Sequence, residues 1–419
     1  MRKCLRWICL VVALTAVAGV LFLEYSPLVR AADSASEASR SSQAERAQAA
    51  LETLYILKNF YFYPADETVL LEAYSHEQSV EDMIKALDDP FARFMNESEF
   101  RTFMEDMKGS FDGIGIVVGI LEGELTIVAP IKGTPGERAG LLPLDKIKHI
   151  DGRTTQDMAL EYAVSLMKGK KGTTVVLGIE RTENEETGSF DVSIVRDTIV
   201  VPRTSCEMLE GNIGYVHLAS FFGENTAEEM MEEIRSLLDQ EMKGFILDLR
   251  LNPGGSVDLA VQVATKFLPT GTPVVHMVDK NGKRVTYHAG PGDKLDIPMV
   301  VLVNEVSASS SEIVAGALRD TRRATIVGVK TFGKGSVQTI YPLSDGSAIS
   351  ITTHKYLTAG EHSIDKKGIE PDVVMELPKV SEDSSESVTD TQLEAAIKIL
   401  REQLENEQLE NEQSNKVAG

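Results

Sequence analysis

Asn304-Glu305-Val306-Ser307-Ala308-Ser309-Ser310-Ser311-Glu312-Ile313 is the stretch that decides how this 419-residue chain is read. It follows an apolar run, Pro298 to Val303, that reads as a buried strand, and it opens an Ala/Gly-rich segment, Glu312 to Leu318, that reads as a helix. A serine at such a junction can present its hydroxyl while the helix N-terminus offers backbone N–H groups to an oxyanion. Ser307, Ser309, Ser310 and Ser311 compete for that place, and any of them is equally a helix-capping residue.

Downstream lies Lys330-Thr331-Phe332-Gly333-Lys334-Gly335-Ser336-Val337-Gln338. Lys334 stands between two glycines, where the backbone can turn sharply and deliver an amine into a tight site. A neutral Lys beside a Ser forms a nucleophile–base pair with no His required. A solvated Lys is protonated at neutral pH, so the pair needs burial to disfavour the ammonium form. Phe332, Val337 and Ile340 around Lys334 predict that burial, whereas Lys330 reads as a surface cation. A third block, Asp248-Leu249-Arg250-Leu251-Asn252-Pro253-Gly254-Gly255, joins a buried strand to a helix. It is either a plain Gly-rich turn or a loop in which Gly254 or Gly255 turns a backbone N–H to a tetrahedral intermediate, with the Ser310 N–H as second donor. Arg250 reads as one half of a structural salt bridge.

Together these blocks resemble the carboxyl-terminal processing proteases, the tail-specific group of Ser/Lys peptidases. The S-A-S-x-S-E-I, T-F-G-K-G-x-x-Q and D-L-R-x-N-P-G-G patterns all occur, and the likeness runs from roughly Leu54 to Val374. The resemblance selects Ser309 as nucleophile and Lys334 as general base. It makes Gln338 the neutral hydrogen-bond partner of the Lys amine, a place where a carboxylate would favour the charged form. It implies an α/β multidomain chain whose protease core is an α/β spiral (crotonase/ClpP-like), working with neither cofactor nor metal. Leu87-Asp88-Asp89-Pro90-Phe91 resembles the family's L-x-D-P-Y-S turn, with Phe91-Ala92 in place of Tyr-Ser, and Gly368-Ile369-Glu370-Pro371-Asp372 resembles its closing block, read here as a strand-capping turn.

From Gly109 to about Asp197 the pattern changes to short apolar runs punctuated by Gly, Pro and Asp. Strands are predicted at Phe111–Ile116, Leu125–Ala129, Asp145–Asp151 and Gly172–Arg181, with a turn and short helix over Lys132–Leu141. The segment resembles a PDZ domain of the bacterial protease type. Gly113, Ile114, Gly115 and Ile116 match its carboxylate-binding loop, whose N–H groups would capture a peptide's terminal carboxylate while the peptide adds as a strand. Leu144 stands where the family usually has Gly, and Lys168, on the helix after Asp157, reads either as a solvated lysine or as a residue that helps orient the ligand.

Arg2, Lys3 and Arg6 precede an apolar run from Trp7 to Leu23, and Val29-Arg30-Ala31 offers a cleavage pattern. This reads as a signal peptide or signal anchor, and places the protein outside the cytoplasm. After cleavage only Cys206 would remain, which excludes an internal disulfide and suggests a buried small hydrophobe. Asp33 to Ala47, rich in Ser and Ala, reads as a linker entering a helix at Ala49–Phe62, with a second short helix at Val80–Leu87. From Gly211 strands alternate with helices, which implies a mostly parallel sheet. A final acidic segment, Thr391 to Gln408, carries Leu393, Ala396, Ile397, Leu400 and Leu404 on one helix face, which must pack on its own domain or on a second subunit.

The net charge of −22 argues against a nucleic-acid partner. Seven His residues make no H-E-x-x-H spacing, and there is neither a G-x-S-x-G elbow nor a Gly-rich phosphate loop, which disfavours zinc hydrolases, α/β-hydrolases and nucleotide enzymes. The expected organisation is a targeting segment (1–32), a helical segment (33–108), a PDZ domain (109–197), a Ser/Lys protease core (198–379) and an acidic helical segment (380–419). The expected partners are protein or peptide substrates with apolar C-termini and a second copy of the chain; a membrane-anchored substrate or regulator stays open. By resemblance the PDZ domain also gates the site. The rival readings are a catalytically degenerate PDZ scaffold and a crotonase-like acyl-CoA enzyme.

Overall fold

The computed structural model describes residues 27–121, 123–183, 186–378 and 389–418. The apolar segment Trp7–Leu23 lies outside them, and among the described residues no helix is long and apolar enough to cross a membrane. The chain divides into two compact units: the residues up to Phe100 with Gln338–Thr353, and Arg101–Val337 with the residues from His354 onward. The core range read from sequence, 198–379, does not anticipate that residues 338–353 group with the N-terminal helices.

In the larger unit a six-stranded sheet has the order Thr204–Leu209, Ile213–Leu218, Gly244–Asp248, Met299–Val303, Thr325–Gly328, Val373–Val374. Its first pairing is antiparallel and the other four are parallel, as the strand–helix alternation implies. The two central strands, Gly244–Asp248 and Met299–Val303, are buried at every position because both faces of the sheet are covered. Phe245, Leu247, Val301 and Val303 pack with the helices Thr226–Leu238, Val257–Thr265 and Ser310–Asp320. The alternate residues Ile246, Val300 and Leu302 pack with Ala396 and Leu400 of the helix Thr391–Ala418. The leucine face of that acidic helix is thus covered by its own domain. Arg250 fastens its start, bonding Asp248 Oδ2 at 2.6 Å and Asp390 Oδ1 at 2.9 Å. Cys206 departs from expectation: it is exposed, because Thr204–Leu209 is an edge strand with one face toward solvent.

Within the same unit Ser110–Gly113 pairs with Asp197–Val200, bracketing a further sheet of order Ile116–Leu121, Glu124–Pro130, Lys146–Ile150, Thr174–Glu183, Glu186–Val195. Its core gathers Ile114, Ile127, Leu141, Ile147, Leu177 and Ala163, the last from the helix Leu160–Met167. Ile116–Leu121 pairs on one side only among the described strands, which leaves an edge of backbone groups beside that helix. Leu144 keeps the left-handed conformation a glycine would take, at φ 70°, with its side chain 70% exposed. Lys168 is not simply solvated: its amine lies 3.5 Å from Glu105 and 4.9 Å above the Phe111 ring.

The smaller unit packs Ile56, Leu57 and Tyr61 of the helix Pro27–Phe60 and its extension against Leu70, Met83, Ile84, Ile349 and Ile351. The Ser/Ala stretch read as a linker is helical, which its alanines, glutamates and arginines favour. Two helices escaped the sequence reading. Glu67–Glu77 starts at Asp66, whose side chain accepts from the Thr68 N–H at 2.8 Å. Glu97–Lys108 starts with a reciprocal Asn96–Glu99 capping box. Arg93–Met95 pairs with Ala348–Ser350, and a turn from Leu343 to Ser347 closes the hairpin of residues 338–353.

Candidate active site

The strand Met299–Val303 ends in a turn held by Asn304. Its side-chain oxygen accepts from the N–H groups of Leu251 at 2.9 Å and Val306 at 3.2 Å, while its own N–H donates to Ser307 Oγ at 2.9 Å. The four candidate serines then separate by what their hydroxyls do. Ser307, buried, donates to the Leu249 carbonyl at 2.8 Å. Ser310 donates to the carbonyls of Gly255 and Ser256, and Ser311 to that of Asn252. Each of these three is fully buried and stitches the helix start to the Asp248–Gly255 block. Ser309 alone is partly exposed, and it sits at the helix N-cap with φ 53° and ψ −112°. That backbone conformation is sparsely populated for a side-chain-bearing residue, and the surrounding hydrogen bonds hold it. Tyr356 Oη donates to the Ser309 carbonyl at 3.1 Å; burial, with the charges of Glu312 and Asp365, pushes its phenol well above the usual range.

Glu312 joins this loop to the Lys334 loop. Its Oε2 accepts from the Ser309 N–H and the Lys334 N–H, both at 2.9 Å, so the two nitrogens are no more than about 6 Å apart. Its Oε1 accepts from Thr331 Oγ1 at 2.6 Å and the Gly333 N–H at 2.8 Å. Burial pushes this carboxyl up, and the four donors pull against that shift.

The glycines flanking Lys334 are there for packing as well as for turning. A Cβ on Gly333 would lie 2.9 Å from the Gly368 nitrogen, and one on Gly335 would lie 2.6 Å from the Asp365 Cα. Thr331 and Ile369 exchange bonds across the same contact, and Asp372 caps the strand at Ile326, so the closing block clamps the loop as well as ending a strand. Lys334 is half-buried. Phe332, expected to cover it, is instead 58% exposed, because its N–H is drawn to the Ser307 carbonyl at 3.1 Å.

The Gly-rich block supplies the other wall. A Cβ on Gly254 would lie 2.8 Å from Ser309 Cβ and 3.0 Å from the Ser310 nitrogen, so only glycine leaves room beside Ser309. The Gly254 N–H, however, donates to Asn252 Oδ1 at 2.9 Å, which removes it as an oxyanion donor. The Gly255 N–H takes no part in the turn's pairing with Phe221, which runs through Gly254 and Ser256 instead. Gly255 and Ser310 remain the candidate donors. Gln338 belongs to the smaller unit, half-buried, with its amide donating to Thr352 Oγ1 at 3.2 Å.

In the PDZ-like segment Ile114 is buried and Gly115 takes φ 72°, where a Cβ would strike Thr134. The carbonyls of Ile114 and Gly115 are tied down by the N–H groups of Gly136 and Ile131, which fixes the loop from Gly113 to Ile116. The site roles of Glu312, Asn304, Asn252 and Tyr356 went unread in the sequence. Glu312 alone carried a signal, as the acid three residues after a candidate N-cap serine.

Residues 212–375 match peptidase family S41, and residues 126–181 match a PDZ domain. The chain is 38% identical over 374 residues to the carboxy-terminal processing protease CtpA of Bacillus subtilis, covering 89% of this chain and 77% of that protein. It is 38% identical over 328 residues to a carboxyl-terminal-processing protease of Synechocystis sp., covering 77% of this chain and 76% of that one. Among solved structures, the photosystem II D1 C-terminal processing protease is 29% identical, with a TM-score of 0.50 over 80% of this chain and 94% of that one.

Proposed function

The chain belongs to the carboxyl-terminal processing proteases of peptidase family S41, and from that premise we propose that it is an exported serine endopeptidase using a Ser309–Lys334 pair. Ser309 Oγ attacks the scissile carbonyl, Lys334 takes its proton and returns it to the leaving amine, and Gln338 holds the Lys amine. The N–H groups of Gly255 and Ser310 receive the oxyanion. The observation that carries this reading is the shared Glu312 oxygen, which fixes the backbones of nucleophile and base while the three rival serines are buried in structural bonds.

The PDZ domain takes a substrate C-terminus as an added strand on Ile116–Leu121, with the terminal carboxylate at the Gly113–Ile116 loop; the unpaired edge beside the helix Leu160–Met167 supports this. Occupancy of that groove gates cleavage. Export rests on the N-terminal basic and apolar segment, the α/β-spiral description of the core on the parallel sheet with its connecting helices, and the homodimer on exposed Leu51, Tyr55 and Leu71 in the N-terminal helices.

The test is cleavage of an unfolded protein with an apolar C-terminus by wild type, Ser309→Ala and Lys334→Ala. Activity in wild type alone, with both variants folded, supports the mechanism. Wild-type rates in Lys334→Ala would remove Lys334 as base. Inertness of all three, with peptide still bound at the PDZ groove, would favour a scaffold.

A further inference from the structure

The Asp89 turn resembles a family block, yet nothing in the proposed chemistry uses it. In the smaller unit it ends a chain of side chains. Gln338 Nε2 lies 3.2 Å from Thr352 Oγ1, and Thr352 Oγ1 lies 2.8 Å from Asp89 Oδ2. Asp89 Oδ2 also accepts from Tyr61 Oη at 3.3 Å, and its Oδ1 accepts from the Phe91 N–H at 3.0 Å. Thr352 is fully buried, and the Phe62 N–H holds its carbonyl at 2.8 Å. Tyr61 is buried as well, its phenol pushed up first by burial and then by the Asp89 charge.

The direction of this chain follows from what each group can donate. The Thr352 hydroxyl donates to Asp89 Oδ2. A hydroxyl has one proton, and here it is spent on Asp89. Thr352 Oγ1 can then only accept from Gln338, which fixes the NH2 end of that amide toward Thr352 and turns the carbonyl end away from it.

We propose that Asp89, acting through Thr352, is a positioning residue that fixes the orientation of the Gln338 amide, keeping its carbonyl end turned away from Thr352. This deepens the reading of Gln338 given above and rests on it. Without the anchor the amide can flip, and its NH2 group, which cannot accept a hydrogen bond, takes the place of the carbonyl. Asp89→Asn is the sharpest perturbation: it is isosteric, yet its amide can donate to Thr352 Oγ1, free the hydroxyl proton for Gln338 Oε1, and reverse the chain.

The experiment pairs cleavage kinetics with side-chain amide resonances. Asp89→Asn and Thr352→Val are expected to lower kcat as far as Gln338→Ala does, by about 10- to 100-fold with KM nearly unchanged, and to shift the pH–kcat midpoint in the same sense. Thr352→Ser, which keeps the hydroxyl, is expected to stay within about threefold of wild type. In a double mutant, Asp89→Asn adds less than about twofold to the loss from Gln338→Ala, because both remove one element. Additive losses, or wild-type kcat in Asp89→Asn, overturn the proposal. Independently of cleavage, the Gln338 side-chain 15N–1H pair, assigned by its loss in Gln338→Ala, is expected to move in Asp89→Asn and Thr352→Val and to hold in Thr352→Ser. If that pair stays put, the proposal fails. If it moves while Gln338→Ala cleaves at the wild-type rate, the network stands and the catalytic role of Gln338 is what fails.

Discussion

Ser309 and Lys334 donate their backbone N–H groups to one and the same oxygen, Oε2 of Glu312, each at 2.9 Å. A single carboxylate therefore sets the spacing of two loops that lie 25 residues apart in the chain. With Thr331 and Gly333 on the other oxygen, all four acceptor positions of the carboxylate are used.

Glu312→Gln replaces an acceptor with a donor and leaves two buried N–H groups facing an NH2. The expected loss is roughly 2–4 kcal/mol of stability, read by urea unfolding. Cleavage should fall further than the unfolded fraction explains, because the folded variant no longer fixes the two loops. Wild-type kcat in the folded variant would show that the shared oxygen is dispensable.

The serines should divide cleanly. Ser307→Ala and Ser311→Ala each strand a buried acceptor and are expected to cost about 1–3 kcal/mol while retaining activity in the folded fraction. Ser309→Ala is expected to abolish cleavage with little change in the unfolding midpoint. Parallel denaturation and cleavage assays on the three variants decide this, and an active Ser309→Ala would reassign the nucleophile.

Gly254→Ala places a methyl 2.7 Å from the Ala308 carbonyl oxygen and 2.8 Å from Ser309 Cβ, on a backbone at φ 100°. The nucleophile loop must shift, and kcat should fall by about 100-fold or more, since small misplacements of reacting groups cost that much. A serine-reactive probe would report the shift as slowed labelling of Ser309, and unaltered labelling would count against the contact.

Acidification should loosen the helix Thr391–Ala418. Burial alone would push Asp390 up, but the Arg250 guanidinium and neighbouring N–H groups outweigh it and hold the carboxyl below its ordinary value. A carboxyl depressed in the folded state contributes stability above its unfolded pKa, and that contribution is lost as pH falls through the folded value, which lies below the ordinary carboxylate value. Asp390→Asn should therefore be less stable than wild type near neutrality and lose less of its stability between about pH 5 and pH 3. Parallel stability–pH curves for the two proteins would contradict this.

Ser309 and Lys334 could be proposed from sequence because their chemistry demands particular residue types next to glycine and a helix start, which are local patterns. The parallel sheet was legible because short, mainly apolar strands alternate with helices along the chain. The fate of the Gly254 N–H was not, since it depends on where the Asn252 side chain points. Phe332 misled because an apolar residue beside a lysine reads as cover, while its backbone bond to Ser307 turns it outward. The helix Glu67–Glu77 was missed although Asp66 caps it, because its apolar residues do not fall into a clear stripe. Asp89, Thr352 and Gln338 meet only after the chain has closed on itself, which no local spacing reveals.

The clamp on the Lys334 loop is made by residues 364–369, later in the chain than either member of the pair. Synthesis therefore delivers Ser309 first, Lys334 next, and the contact that shapes the Lys334 loop last. A chain synthesised only as far as Lys334 carries both side chains yet lacks that contact. Under the proposed Ser309–Lys334 mechanism, cleavage would therefore begin only once residues 364–369 are in place.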